Sequence, residues 1–534
     1  MSLKHDLQDR ISTVINAHIP EIQDIYLERP KQADHGDYAS NVCLRMAKVF
    51  KKAPKQIAEE LAEKIQADLS DLCTVTPING FLNFTCTDAV VWDYAQKELS
   101  FPKKEDKILL EYVSANPTGP LHIGHGRWAA IGDVLYRLLD ATGHNVDREF
   151  YINDAGNQIN NLRDSVEAVR NNQEIPEGGY HGAYIKDLAT ESGDPKDLLL
   201  GLQKETLAKM DVEFDRWYSE LELHQGTQIQ ECLAQLKEAG ASYEKDGALW
   251  FNSTKFGDDK DRVLIKSDGQ YTYFAVDIAY HYDKIKRNYT SLINIWGADH
   301  HGYVPRVTAA VDVLRRATPH PEFASQHSDQ APRHSGLDDD GNENYLTVVL
   351  GQLVSLYRDG EQVRMSKRTG EMITLDEVID EIGKDATRYF LIEKSADIHI
   401  DFDLELAKKT SNENPVYYVQ YAHARLCSIE RQFETPEGDY DTSSEALEPA
   451  ERRLLLHCAR VSETIEIAAK NLAPYQFVQY LSDCARAWHS FYEHCPILKS
   501  EGKTQEKRRK ILSICKATLS LSLRLCGLNA PEKM

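Results

Sequence analysis

No uninterrupted apolar run in the 534-residue sequence approaches the roughly 18–20 residues that a membrane-spanning helix needs. The amino terminus, MSLKHDLQDR, has no apolar segment of the kind that directs secretion. Both absences lead to the expectation of a cytosolic protein with no membrane partner. Ten cysteines are scattered without a single C-x-x-C pair, so neither a zinc ribbon nor a disulfide framework is expected, and they read as buried reduced thiols. An excess of positive charge is also missing: 62 Lys and Arg against 84 Asp and Glu leave a formal charge of −22. That balance argues against a protein that coats nucleic acid indiscriminately, and no DNA partner is expected. An RNA held by local basic patches, and read through shape and particular bases, remains compatible with it. Internal repeats and long low-complexity segments are absent as well.

A chain of this length holds about three or four domains. Residues 1–105 mix helical spacing (APKQIAEELAEKIQADL) with the strand-like FLNFTC, and read as a small α+β domain. From residue 106 the pattern becomes strand, Gly-rich turn, helix. KILLEYV predicts a buried strand, and the following helix carries Ile131, Val134, Leu135, Leu138 and Leu139 on one stripe. The strand SLINIW, the turn GADHHGYVP and a helix with Val307, Ala310, Val311 and Leu314 repeat this form. Two such units predict an α/β region with a parallel sheet, which binds ligands at the carboxyl ends of its strands. Residues 157–262 read mostly as polar helices inserted into this region, which extends to 404. Residues 405–534 read as an all-α bundle of amphipathic helices.

Two stretches carry chemistry. In SANPTGPLHIGHGR, Ser114 to Arg127, two histidines stand three residues apart at a helix start, where backbone N–H groups and the helix dipole favour anions. His122 and His125 there suit phosphoryl oxygens, although a lone H-x-x-H also serves to cap a helix or bind a metal. RMSKRTGEMITLDEV, Arg364 to Val378, is a basic, Gly-containing loop before a helix; standing alone it would read as a solvated surface element. The two together suit transfer at phosphorus, which asks for positioning and charge stabilisation.

HIGH at 122–125 and MSKR at 365–368 resemble the two signatures of class I aminoacyl-tRNA synthetases. With YINDAGNQ (151–158), WGADHHGYVPR (296–306), NENPVYYVQYAHAR (412–425), ADHGDYASNVCLRMAK (33–48) and the closing LNAPEKM, the whole chain resembles the bacterial-type arginyl-tRNA synthetase family. The resemblance implies a Rossmann-type catalytic domain at 106–404, an amino-terminal tRNA-contacting domain at 1–105 and an anticodon-binding bundle at 405–534. It also implies the activity: L-arginine is activated with ATP and Mg²⁺ to arginyl-adenylate, then passed to the terminal adenosine of tRNA(Arg). A monomer is expected on the same ground.

Carried over residue by residue, the resemblance gives His122, His125 and Lys367 as catalytic groups. ATP would meet these three together with Gly124, which leaves room for the adenine ring, and Asp299, His301 and Ser366. One departure is visible, because Arg364 stands where the loop pattern usually begins with lysine. Phosphate contact survives that exchange with altered geometry. The arginine pocket would comprise Glu111, Ser114, Asn116, Tyr273 and Asp277; a guanidinium needs carboxylates that accept its planar fork of donors, here Glu111 or Asp277. Glu111 lies in an apolar strand and needs a partner there. Tyr273 and Asp277 taken alone equally fit a half-buried strand pair. His300 and His301 could suggest a metal, but no cysteine stands near them in the sequence, and no metal site is assigned. For the tRNA, the bundle offers Tyr417, Tyr418, Tyr421, His423 and Arg425, and the basic run EKRRK at 506–510, as stacking and phosphate-binding groups. A related nucleotidyl transferase for another amino acid would lack the acidic pocket; a silent paralogue would not need both histidines and Lys367.

Overall fold

The computed structural model describes residues 2–20, 22, 25–318, 345–363, 373–433 and 446–534. Near the amino terminus, strands β1 (Tyr38–Ser40), β2 (Cys73–Ile78) and β3 (Phe81–Cys86) form an antiparallel sheet in the order β1-β3-β2. The helix Leu3–His18 buries Leu3, Leu7, Ile11 and Ile15, one residue per turn, in the same hydrophobic core.

The central sheet is parallel throughout. Strands β4 (Lys107–Glu111), β5 (Asn145–Ile152) and β6 (Arg216–Ser219) lie on one side; the antiparallel hairpin strands β7 (Ser242–Lys245), β8 (Ala248–Phe251) and β9 (Arg262–Ile265) follow in sequence outside it. Strands β10 (Ser291–Gly297) and β11 (Leu346–Gly351) complete the order β11-β10-β4-β5-β6. Ile108, Leu109 and Leu110 are all buried, as are Leu292, Ile293 and Ile295, because a central parallel strand is covered on both faces. The helix Ile123–Ala141 connects β4 to β5, and the helix Val304–Ala317 leads from β10 towards β11. Both bury the apolar stripes that their sequences predict. From β4 the chain winds outward to β6 and returns to β10 on the other side, so the winding direction reverses between β4 and β10. Such a reversal opens a crevice at the carboxyl ends of those strands.

The stretch 157–262 departs from the expectation of a mostly helical insertion. Its first part is helical (Asn157–Arg170, Ala183–Thr190, Pro195–Lys209), but β6 inside it is the edge strand of the parallel sheet, and β7–β9 make a small sheet. Arg216 to Ser219 is a short edge strand, only partly buried, and so lacks the continuous apolar run that marks β4. A second small sheet, β12 (Val354–Arg358), β13 (Glu361–Gln362) and β14 (Ile400–Asp403), follows β11.

Beyond it the described chain is helical, with long helices at Pro415–Glu430, Pro474–His494 and Gly502–Leu525. Cys458, Cys484 and Cys515, distant in sequence, meet in this core with their sulfurs within 4.8 Å of one another. Burial pushes the Cys515 thiol well above its ordinary range. The bundle also packs on the amino-terminal unit: Arg452 forks onto the two Asp37 oxygens at 3.1 and 2.6 Å, and the Tyr38 hydroxyl donates to Glu463 at 2.7 Å. No helix among the described residues is long and apolar enough to cross a membrane.

Candidate active site

A cavity of about 1260 Å³ opens at the carboxyl ends of β4, β5 and β10. Glu111 ends β4 and lines it. Immediately afterwards Val113 and Ser114 adopt left-handed backbone angles, φ 69° and 43°. For a β-branched residue this is strained, at about 1–3 kcal/mol, and the surrounding structure must hold it. The turn brings the Ser114 hydroxyl back onto Glu111 Oε1 at 2.9 Å, while the Tyr151 amide donates to the same hydroxyl at 3.2 Å. The partner that Glu111 requires is Lys284, a fully buried ammonium on its Oε2. Asn116 also lines the cavity and donates to Gln158 at 2.8 Å. The helix Pro195–Lys209 fastens this loop, because Gln203 donates to the Asn116 and Gly119 carbonyls at 3.1 and 2.9 Å.

His122 and His125 cap the helix Ile123–Ala141 reciprocally. His122 Nδ1 accepts from the Gly124 amide at 3.1 Å, and His125 Nδ1 accepts from the His122 amide at 3.2 Å. A ring nitrogen that accepts carries no proton, so each neutral imidazole holds its proton on Nε2. The rings stack with centroids 3.7 Å apart. His125 lines the cavity; His122 and Gly124 are not among its lining residues. A Cβ on Gly124 would meet the His122 ring at 3.0 Å, so the glycine here accommodates the capping imidazole.

Tyr273 and Asp277 are not on a strand. They lie one turn apart at the start of the helix Tyr273–Lys286, whose N-cap Thr272 accepts from the Ala275 amide; four residues apart, they face the same cavity. Turn chemistry at Thr272 overrides the β-branched and aromatic composition that suggested a strand. Tyr273 is 84% exposed. Asp277 Oδ2 is buried, and the Tyr303 phenol lies against the same carboxylate. Burial, and then the Asp277 carboxylate, push the neighbouring Tyr303 phenol well above its ordinary range. Asp299 and His300, in the short 3-10 turn after β10, line the cavity; His301 is exposed and does not.

Arg364, Ser366 and Lys367 lie outside the described residues. The chain just after them is fixed: Thr374 bridges to His122, the Leu375 amide donates to the Leu121 carbonyl at 2.8 Å, and Thr374, Asp376 and Glu377 line the cavity. Sequence reasoning missed Tyr151, Glu220 and Tyr303. Tyr151 donates to Glu220 at 2.9 Å inside the cavity, and burial raises the Glu220 carboxyl. Tyr151 was visible within YINDAGNQ; Glu220 follows the short strand β6 that the polar pattern concealed.

In the bundle, Tyr417 and Tyr421 stack in parallel, 5.9 Å apart with an 8° interplanar angle, both half-buried. Arg425 donates to the Tyr492 hydroxyl at 2.8 Å. Two expectations fail here. His423 is buried and its Nδ1 bonds the Pro531 carbonyl oxygen at 2.9 Å, and Lys507, Arg508 and Arg509 of the EKRRK run are buried. Lys507 and Arg508 reach Glu451 at 2.7 and 2.8 Å, so the run serves internal ion pairs.

Three family models match the chain: arginyl tRNA synthetase N terminal domain over residues 1–86, tRNA synthetases class I (R), catalytic domain, over 89–186, and DALR anticodon binding domain over 419–534. The arginine–tRNA ligase of Bacillus licheniformis is 42% identical, with all of this chain and 98% of that protein covered. The chain belongs to the arginyl-tRNA synthetase family. It is a class I enzyme of bacterial type. A putative arginyl-tRNA synthetase structure from Campylobacter jejuni is 33% identical, covers 90% of this chain and all of its own, and superposes with a TM-score of 0.70. The arginyl-tRNA synthetase of Thermus thermophilus shares the fold, with a TM-score of 0.78 at 22% identity over 99% of this chain and all of its own.

Proposed function

We propose that the cavity joins L-arginine to ATP and then hands the arginyl group to tRNA(Arg), and that the residues named from the sequence divide the work as follows. The substrate guanidinium meets Asp277 and the cavity-facing oxygen of Glu111, with Tyr273 beside it and Ser114 and Asn116 near the amino acid's polar head. An arginine carboxylate oxygen attacks the α-phosphorus, forming the mixed anhydride and releasing pyrophosphate. ATP enters as its Mg²⁺ complex, the ion being held mainly through phosphate oxygens, and no side chain is assigned to it. His122 and His125 direct their Nε2 protons at phosphoryl oxygens, and Lys367 neutralises charge that develops on the leaving pyrophosphate. Asp299 and His301 contact the nucleoside, with Ser366 beside the phosphates. The terminal 2′-OH of the tRNA then attacks the arginyl carbonyl and AMP leaves.

The observation that carries this reading is the convergence of Glu111, Ser114, Asn116, His125, Tyr273, Asp277 and Asp299, from stretches of chain far apart in sequence, on one cavity. The domain division at 105 and 404, a monomeric state and a cytoplasmic location are parts of the same proposal. So is the docking of the anticodon loop on Tyr417, Tyr421 and Arg425, since aromatic faces stack unpaired bases.

The test is ATP–pyrophosphate exchange across a panel of amino acids, each with and without total tRNA. Exchange with arginine, and only when tRNA is present, is the expected result; exchange with a different amino acid would overturn the assignment. In the same assay Lys367→Ala slows adenylate formation with little loss of arginine binding, as expected of a group acting in the transition state. Equal losses in both would remove Lys367 from that role.

A further inference from the structure

Three polar side chains interrupt the apolar interior of the parallel sheet in one row: Asn294 pairs in register with Glu111, and Glu111 with Glu149. The helix Tyr273–Lys286 brings a matching stripe to this row. Arg287, at its C-cap, holds Glu149 through Nη1 and Nη2 at 2.6 and 2.9 Å, and Tyr280 donates to Glu149 at 2.6 Å. Lys284, fully buried over the Tyr280 ring, donates to Glu111 Oε2 and to Asn294 Oδ1, the latter at 3.2 Å. An ammonium only donates, so the Asn294 atom facing it is the carbonyl oxygen, and the amide nitrogen faces His281 Nε2 at 3.0 Å. That nitrogen also only donates. His281 Nε2 must therefore accept, and the imidazole proton sits on Nδ1, 2.9 Å from the Asp277 carbonyl oxygen and 3.4 Å from Asp277 Oδ1.

We propose that Lys284, acting through Asn294 and His281, is a positioning residue for the arginine substrate: the relay sets the His281 Nδ1–H on the Asp277 carbonyl oxygen and 3.4 Å from Asp277 Oδ1, so that the Asp277 carboxylate and Glu111 Oε1, which also accepts from Ser114, face one guanidinium. This rests on the assignment of the cavity to arginine. The charges agree with it. Glu149 is matched by Arg287 and Glu111 by Lys284, and among the described residues Asp277 is the one carboxylate of this row and stripe without a Lys or Arg partner, the complement of a single cation. A second proton on His281 would set its Nε2–H against the Asn294 amide, and that amide cannot turn without placing its own N–H groups against Lys284.

Asn294→Asp is nearly isosteric and tests the relay. A carboxylate there accepts from Lys284 and from His281 Nε2 alike, so His281 takes a proton on each nitrogen and competes with the substrate for Asp277. Arginine KM in tRNA-supplemented exchange is expected to rise by about tenfold or more, with kcat changed far less. Lys284→Met raises KM in the same direction. Nitrogen-15 spectra of the full-length, histidine-labelled protein, with His281 assigned from His281→Gln, should show Nδ1 protonated and Nε2 bare at neutral pH in the unsubstituted chain and Nε2 protonated in Asn294→Asp. An Nε2–H tautomer in the unsubstituted protein overturns the relay even if neither variant folds. So does an unchanged KM in Asn294→Asp alongside a raised KM in Asp277→Asn. Should Asp277→Asn and Glu111→Gln both leave KM unchanged, the arginine site itself is wrongly assigned and the proposal falls with it.

Discussion

In the carboxy-terminal bundle, Glu451 receives Lys507 on one carboxylate oxygen and Arg508 on the other, and Arg508 reaches on to Glu448 at 2.7 Å. At the cavity, Asp277 turns one oxygen towards His281, and no Lys or Arg among the described residues pairs with it. Both regions take carboxylates away from water, a costly step unless the charge is matched. The bundle matches its charge within the chain and holds the helices Pro449–Ala459 and Gly502–Leu525 together by it. The cavity leaves its match to a substrate. A buried charge therefore marks a ligand site only when the chain leaves it without a matching cation, and a basic run in a helix is no evidence of an RNA-facing surface until its exposure is known.

The largest effect expected from breaking the contrast is on the bundle side. Glu451→Gln strands Lys507 and Arg508 and should cost about 3–5 kcal/mol of stability in denaturant unfolding, while arginine-dependent exchange per folded molecule stays unchanged. Burial works to raise the Glu451 carboxyl, but Arg508 and Lys507 outweigh it and hold its pKa below the ordinary 4.5. Its contribution to stability is thus complete above that value and lost as pH falls through the lower folded value. Unfolding curves between about pH 5 and pH 3 should be flatter for the variant; an equal slope in both proteins would show that Glu451 is not held ionised. On the cavity side, Asp277→Asn should leave stability nearly untouched and lower kcat/KM for arginine by roughly a hundredfold, about 2.7 kcal/mol, the scale for truncating one partner of a buried charge pair. A stability loss without that kinetic loss would make Asp277 a structural carboxylate like Glu451. The smallest effect is expected at the bundle surface: Tyr421→Ala should weaken tRNA binding by about 1 kcal/mol, roughly fivefold in Kd, if a base stacks there. No change in a filter-binding measurement would leave Tyr417 and Tyr421 as packing residues.

Much of the fold was legible because a few segments state their own environment. Ile108 to Leu110 can only be a strand covered on both faces, and the stripe from Ile131 to Leu139 has one solution against it. Two strand–turn–helix units imply a parallel sheet with both histidine turns at its carboxyl edge, whereas the reversal of winding between β4 and β10 is set by the strand order of the folded sheet. Harder to read were segments whose local pattern is weak or contradicted. The edge strand β6 has few apolar residues to declare it. Tyr273 and Asp277 sit in an aromatic, β-branched run that becomes a helix because Thr272 caps it.

By itself the sequence determined the α/β centre with helices after it, the family, and the set of polar residues available to a cavity, since apolar periodicity and motif order are local properties that survive without a partner. Only the tertiary structure decided how those polar residues are used. Whether Lys507 meets RNA or Glu451, whether Glu111 meets a substrate alone or Lys284 as well, and whether three cysteines distant in sequence share one core are questions of which side chain faces which across separate elements. Hydrogen-bond direction has the same origin: the proton of His281 is fixed by Lys284 through Asn294, and the row that assembles them exists only once the helix lies on the sheet.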